Sequence, residues 1–537
     1  MNKFWNFNSA ALSKQRLKIV VSVLLAFLWT SFTSIYLSNQ WGWSVENTSH
    51  PAMGLAQLIS VPLLSFILFF LMRSVYLARR SPALFSLGLV YFIVTLALFF
   101  SVAPGCFTED TFYTFHMVKN GWWEGWYSSM HPLFMTGFIQ IIPWQFNAPG
   151  IFLTMLWSAV YVFIHFILLR KSAPRWMHFL VPLMLIWPAQ LVASLIIVRD
   201  GYFTAIFIFY ILYIFYLISI KKIIEVSDIF ALSAVGFLLS FYRSDALPGV
   251  LIGIVFAAII WAKRSPYAVN KLSLVTAIAF PFLFFYILSL LPSMLLEGAW
   301  EKGNTWGKRA EMEYKITLIE NPLGYIVRNG GIVSADHREN IEKVFKIEDL
   351  KNHWCPGNLC LFYGGHWNQQ SSKQEREDAF KSSMIVFFQN PRLFLLSRLE
   401  TLKTVGERST QTRCSADSMK ERGYPRVFES NKLWMIGDNA LKFIRDTETV
   451  EGVMGGKSVW WNVYVRATLL FALLAFFRKA PASSIASLVL LGRSIVVFFA
   501  APAGFTVYYT ALFIGAPIIF LLFILEIITI GRGQHLK

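Results

Sequence analysis

The sequence predicts an all-α polytopic membrane protein with about twelve transmembrane helices. Three observations carry that expectation. The 537 residues are 56% hydrophobic, 17% aromatic and only 15% charged, too apolar for a soluble multidomain chain. The apolar residues fall into runs close to the roughly 20 residues that a bilayer requires. Basic residues cluster beside these runs at alternate loops: Lys14/Arg16/Lys18, Arg73/Arg79/Arg80, Arg170/Lys171/Arg175, Lys221/Lys222, Lys263/Arg264/Lys271, Arg478/Lys479 and Arg532/Lys537. That is the positive-inside distribution. It accounts for the formal charge of +17 without a nucleic-acid partner.

The first basic cluster precedes 19–37. This run is too long for the core of a secretory signal and lacks a clean small-residue cleavage pattern, so it reads as the first span. The others are 55–72, 83–103, 150–169, 178–197, 201–220, 229–242, 246–262, 272–296, 459–477, 483–500 and 506–530. An even number puts both termini on one side, and the basic loops make that side the cytoplasm. Segments 38–54, 104–149, 198–200, 243–245, 297–458 and 501–505 then face outward. The short 229–242 span reads as tilted or as starting earlier. The chain divides into a transmembrane part, 1–296, an external domain, 297–458, and C-terminal spans, 459–537. It shows no internal repeat and no low-complexity tract.

Two outward segments are too long to be connectors. Segment 104–149 is dense in aromatics (Trp122, Trp123, Trp126, Tyr127, Phe134, Trp144), which favour headgroup depth. Its stretches 109–119 and 131–142 have helical periodicity but fall short of a span, and read as interfacial or re-entrant helices. Pro132 suits a first helical turn. Segment 297–458 is polar and charged, with helix-like stretches at 337–350 and 373–389. Asn390-Pro391 breaks the pattern. An amphipathic piece follows at 392–404, with Leu393, Phe394, Leu396 and Leu399 on one face, and reads as lying on the outer membrane surface.

Cys106, Cys355, Cys360 and Cys414 all fall in outward segments, which suggests disulfides. Cys355–Cys360 with Cys106–Cys414 is the simplest of three pairings. A zinc site needs more ligands at matched spacing, although His353 and His366 lie nearby.

Charged residues mark the outward ends of the spans. Such groups cost desolvation energy near a bilayer, so a one-sided set is a site hypothesis by default. Glu109-Asp110 offers a base, a metal ligand or, at Asp110, a helix cap. His131-Pro132 closes the same loop; a lone histidine is more often structural, as we read His165, but His131 gains weight as a catalytic candidate because it shares a loop with Asp110. Arg199-Asp200 and Arg243-Ser244-Asp245 form two Arg/Asp turns on the same side. Each alone reads as a snorkelling arginine beside its neighbour. Together they suit phosphate binding at headgroup depth. Arg493 lies inside the 483–500 span, where a charge costs roughly 2.5–3.5 kcal/mol. It should face the bundle interior, reaching the same phosphate or pairing with Glu526. Tyr508 and Tyr509 line the same cavity or belong to the aromatic belt. This set suits attack of an acceptor hydroxyl on the anomeric carbon of a lipid-phosphate sugar, with Asp110 as base. No Walker or Rossmann glycine pattern is present.

In this order the motifs resemble the GT-C superfamily of integral-membrane glycosyltransferases, which use polyprenyl-phosphate sugars. The chain looks closest to a bacterial branch of multi-spanning members. The resemblance rests on Glu109-Asp110, His131-Pro132, Arg199-Asp200 and Arg243-Ser244-Asp245-Ala246. It extends to the stretches from Asn321-Pro322 to Phe345 and from Asn390-Pro391 to Leu399. It implies a helical bundle with two juxtamembrane helices in the first external loop, Asp110 as catalytic base and Glu109 second. It implies a glycan, lipid or protein acceptor and an active site on the outer face of the bacterial cytoplasmic membrane. Two extra spans precede the first external loop, and position 199 carries Arg where the pattern leads one to expect Lys. Some members use a divalent metal such as Mg²⁺ or Mn²⁺ and others do not, so that requirement stays open here. Two alternatives remain. One is an external glycan polymerase or ligase, with its essential Arg and His in 297–458. The other is a transporter of lipids or small molecules, which predicts broken helices at the midplane and inverted repeats.

Overall fold

A computed structural model of the chain describes residues 21, 23–30, 81–102, 114, 130–142, 147–195, 199–220, 224–264, 273–287, 290, 305–405, 433–449, 459–504 and 506–534. Among these residues the regular structure is entirely helical, with no strand. In order, the helices are α1 (Pro82–Phe100), α2 (Met130–Ile141), α3 (Asn147–Arg170), α4 (Arg175–Leu183), α5 (Pro188–Leu195), α6 (Arg199–Ser219), α7 (Val226–Tyr242), α8 (Leu247–Arg264) and α9 (Ser273–Ile287). They continue as α10 (Thr305–Arg328), α11 (Ala335–Glu342), α12 (Ile347–Asn352), α13 (Cys360–Gly364), α14 (Lys373–Gln389), α15 (Pro391–Lys403), α16 (Leu433–Thr449), α17 (Val463–Leu474), α18 (Pro481–Ala500) and α19 (Thr510–Gln534).

Local sequence sets many of these boundaries. Pro82, Pro391 and Pro481 each open a helix, where a missing N–H costs nothing. Capping boxes start α7, through Glu225 and Asp228, and α14, through Ser372 and Glu375.

Among the described residues, six helices are long and apolar enough to cross a membrane: Pro82–Phe100, Asn147–Arg170, Arg199–Ser219, Ser244–Arg264, Pro481–Ala500 and Thr510–Gly531. A seventh span is possible if α4 and α5 count as one, bent by 58° around Trp187. The chain is a helical membrane protein, and its outer surface fits lipid. Phe85, Leu89, Ile93 and Val94 of α1 and Leu251, Val255 and Ile259 of α8 all point outward.

Several expectations shift. The predicted 178–197 span is broken, because Pro182 lies inside α4 and Pro188 starts α5. The 229–242 span begins earlier, at Val226, and is 17 residues long. Span 459–477 contains only a 12-residue helix, Val463–Leu474, which starts from an Asn462 cap after a short 3-10 turn. Arg199 and Asp200 sit in the first turn of α6 rather than in a loop. The helix-like run 337–350 splits into α11 and α12. Span 55–72 and most of 19–37 lie outside the described residues; 23–30 is helical.

Residues 305–405 build a second core from Ile316, Ile319, Leu323 and Ile326 of α10, Leu350 of α12, Leu361 of α13 and Val386 of α14. Helix α16 does not join it; Ile444 packs into the bundle core instead. The 305–405 unit docks on the α18–α19 connection through polar groups. Arg398 donates to the carbonyls of Phe498 and Ala501. Asn321 donates to the Pro502 carbonyl (2.8 Å), and the Gly504 amide donates to the Gly357 carbonyl (2.9 Å). On α15 the most deeply buried residues are therefore Ser397, Arg398 and Thr401, while Leu395 and Leu399 are exposed. Of the expected apolar face, Leu399 is exposed and Leu393, Phe394 and Leu396 are half-buried; beside it runs a buried polar stripe whose partners include helix-end carbonyls.

Helix α18 is held at its other end too. The Glu526 carboxylate accepts from the Ala482 and Ser483 amides, at 3.2 and 2.9 Å, in the first turn of α18. Arg264, at the same end of the bundle, donates to the Ile218 carbonyl of α6 (3.0 Å).

Cys355 and Cys360 are joined as a disulfide, as expected. Cys106 and Cys414 lie outside the described residues. Beside the disulfide, buried Glu320 accepts from the Leu361 and Phe362 amides at 2.7 and 3.1 Å. Burial pushes its carboxyl up from 4.5 to about 8, against the pull of the two amides. Between those values the folded chain holds a proton that the unfolded chain releases. Stability therefore falls as pH rises through this window and levels off above it. Thermal melts of the full-length protein in detergent should show this decline, and Glu320→Gln should flatten it.

Candidate functional site at one end of the bundle

Four chain segments meet at the end of the bundle where the 305–405 unit docks. They are the start of α6, the Ser244–Ala246 turn between α7 and α8, the interior of α18, and the Thr506–Tyr509 turn that leads into α19. Close packing sets their spacing. A side chain at Gly249 would meet the Val489 carbonyl at 2.5 Å, so glycine lets α8 lie directly against α18. That approach brings Asp245 within reach of Arg493.

The charges form a chain. Arg243 pairs with Asp200, and its Nε donates to Asp245 at 3.0 Å. The other Asp245 oxygen accepts from Arg493 at 3.0 Å. Arg493, 1% exposed, also donates to the Tyr508 carbonyl at 2.9 Å. Aromatic faces complete the cage. The Arg493 guanidinium lies 4.6 Å from the Phe203 ring centre, and Arg243 lies 5.6 Å from Phe203 and 5.4 Å from Tyr508. The Arg493 Nε has no hydrogen-bond partner among the described residues. Arg199 is near enough to act electrostatically on His131, Tyr242, Arg243, Asp245 and Arg493.

His131 stands at the edge of this network. It lies in the first turn of α2, whose Phe138 stacks on Phe152 and Tyr202. Its Nδ1 shares a hydrogen bond with the hydroxyl of Tyr242, the residue before Arg243. Burial, aided by Arg199, drives the imidazole down to about 3. His131 is therefore neutral, which suits positioning rather than proton delivery.

The structure thus unites Arg199, Asp200, Arg243, Asp245, Arg493, Tyr508 and His131. Asp110 and Glu109 lie outside the described residues. Arg493 pairs with Asp245 and not with Glu526, which is committed to the start of α18. His165 lies elsewhere, between Tyr91 (2.7 Å) and His178 (3.0 Å). Sequence reasoning missed Tyr242 and Phe203. Their signal was present, since Tyr242 adjoins Arg243 and Phe203 follows Asp200 by about one helical turn.

No family model, curated protein or solved structure matches this chain. The site must be read from its own chemistry. Arg243 and Arg493 hold Asp200 and Asp245, and Arg199 lies within electrostatic range of the same groups. Both carboxylates are already engaged by arginine, which leaves Asp200 and Asp245 poorly placed to hold Mg²⁺ or Mn²⁺, cations that prefer several free oxygen ligands. The arrangement suits an anion.

Breaking such a pair leaves a buried charge uncompensated, at a cost of about 3–5 kcal/mol. Asp245→Ala should therefore lower the melting temperature sharply in detergent. Asp245→Ala combined with Arg493→Met should recover part of that loss.

Proposed function

We propose that the chain is a GT-C-type membrane glycosyltransferase. It moves a sugar from a polyprenyl-phosphate donor to a hydroxyl on a glycan, lipid or protein acceptor. The observation that carries this reading is the convergence of Arg199, Arg243 and Arg493 with His131 at a single end of the bundle. A cluster of guanidinium groups edged by aromatic rings and lipid-facing helices suits a lipid phosphate, which guanidinium groups bind bidentately.

In this reading the acceptor hydroxyl attacks the anomeric carbon and gives its proton to Asp110, with Glu109 beside it. The bond from the anomeric carbon to the phosphate oxygen breaks, and that oxygen leaves with the electron pair as polyprenyl phosphate. Arg199 and Arg243 stabilise the growing negative charge. Asp200, Asp245 and the Tyr508 carbonyl hold the guanidinium groups in place. Neutral His131 fixes Tyr242 and, through it, the start of the Arg243 turn.

Arg170, Lys171, Arg264, Arg478 and Lys479 mark the opposite end of the bundle. By the positive-inside rule that end is cytoplasmic. Both termini then lie inside, and transfer takes place on the outer face of a bacterial cytoplasmic membrane, in cell-surface glycan assembly.

One observation favours transport instead. The α4–α5 pair is a broken span, a feature that transporters place near their substrates. Proteoliposomes loaded with radiolabelled polyprenyl-phosphate sugar separate the two readings. Transfer predicts release of free polyprenyl phosphate, with Asp110→Ala slowing it by about 10²-fold or more. Arg199→Ala should slow it by about 10²–10³-fold. Full activity in Asp110→Ala would sink the glycosyltransferase reading. Movement of the intact lipid between leaflets, without cleavage, would establish transport.

A further inference from the structure

Apart from the arginine network, the 305–405 unit carries a second group of chemically capable side chains. Asp349, His353 and His366 each offer one ligand atom, and all three atoms lie within 4.8 Å of one another. We propose that these residues form a binding site for a transition-metal dication of the zinc class, on the outer unit and independent of the glycosyltransferase reading.

The local fold explains why the three side chains meet. Asp349 and His353 are four residues apart at the end of α12, so they project from one helical face. This spacing is a common way to present two ligands to one ion. His353 caps the helix, and its amide donates to the Asp349 carbonyl at 2.9 Å. His366 comes from the far side of the disulfide loop. Its amide donates to the Leu361 carbonyl at 2.9 Å, which folds the chain back after α13. The two imidazoles then lie face to face, 3.7 Å apart and 6° from parallel. The Asp349 carboxylate sits 3.8 Å from His353 Nε2, too far for a hydrogen bond.

Two imidazoles with a carboxylate at their rim bring three donor groups to one corner. The donor set sorts the possible ions. Imidazole nitrogen with one carboxylate oxygen suits Zn²⁺, Cu²⁺ or Ni²⁺, whereas Mg²⁺ and Ca²⁺ prefer oxygen throughout. Tetrahedral zinc with bonds near 2.0–2.1 Å needs its ligand atoms roughly 3.3 Å apart. The site must therefore contract slightly. His353 can supply that movement, since its side chain is 44% exposed and a small rotation turns the stack into a convergent pair. Three protein ligands leave at least one coordination position for water or a substrate group.

The location gives the ion a structural consequence. His353 and His366 bracket the Cys355–Cys360 disulfide and the Gly357 carbonyl that accepts from Gly504. A bound ion would close the same loop a second time, next to the contact that seats the outer unit on the bundle.

The test uses the full chain, purified in detergent without a polyhistidine tag and stripped with a chelator. Zn²⁺ is titrated by calorimetry, and Co²⁺ by its visible absorption. The wild type should bind one Zn²⁺ per chain saturably, gain thermal stability on binding and give a Co²⁺ spectrum with imidazole ligation. His366→Asn and His353→Asn should each weaken binding by more than about tenfold. Metal-free His353→Asn should melt like the metal-free wild type, because that side chain is half exposed. No saturable Zn²⁺ binding by the wild type would overturn the proposal. So would unchanged Zn²⁺ affinity in the His353→Asn/His366→Asn double variant, or displacement of Zn²⁺ by equimolar Mg²⁺.

Discussion

The buried chain of ion pairs from Asp200 through Arg243 and Asp245 to Arg493 is the constraint around which one end of the bundle is organised. Removing four charges from water costs several kcal/mol each, and their mutual attraction offsets this only when the geometry is good and the remaining polar atoms are satisfied. That requirement reaches into the fold. It demands the α8–α18 approach at Gly249, the Tyr508 carbonyl at the start of α19 and the Phe203 ring in α6. A hydrophobic replacement of equal volume would stabilise the bundle as well or better. Charges held where apolar packing would serve mark this end of the bundle as a functional-site hypothesis.

Much of this was legible from residue positions. Apolar runs with basic flanks gave the helical membrane class. Arg199, Asp200, Arg243 and Asp245 stood out because each falls at the end of an apolar run, on the side away from the basic clusters. Arg493 stood out because it interrupts a run. Its partner was harder to read. With a rise of 1.5 Å per residue, Arg493 lies about 10 Å from the site end of α18, while Glu526 lies about 24 Å along α19. Careful placement of the spans already excludes their pairing. Asp245 emerges only once α8 and α18 pack together, and that depends on glycine contacts with no local signature.

The 305–405 unit was less legible. Its docking uses Arg398, Asn321 and the Gly357 carbonyl, which contact bundle residues about a hundred or more positions away in sequence. Periodicity in 392–404 pointed to an apolar face and not to the polar stripe beside it, because periodicity records side-chain polarity and not the backbone groups waiting on the other side. Helix-end carbonyls are such groups. They have no partners within their own helix, and a guanidinium satisfies two of them at once. The split of 337–350 into two helices has the same origin. The intervening turn lets Val344 and Phe345 enter the core, a benefit invisible to local propensity.

Helix α18 has a carboxylate at its positive end and a guanidinium at its negative end. Both partners come from elsewhere in the chain, Glu526 from α19 and Arg398 from the 305–405 unit. A rod clamped electrostatically at both tips resists sliding along its own axis. Arg493 rides on that rod, so its depth is fixed from two directions. A displacement of the 305–405 unit along that axis would therefore reach Arg493 through α18 as an axial load.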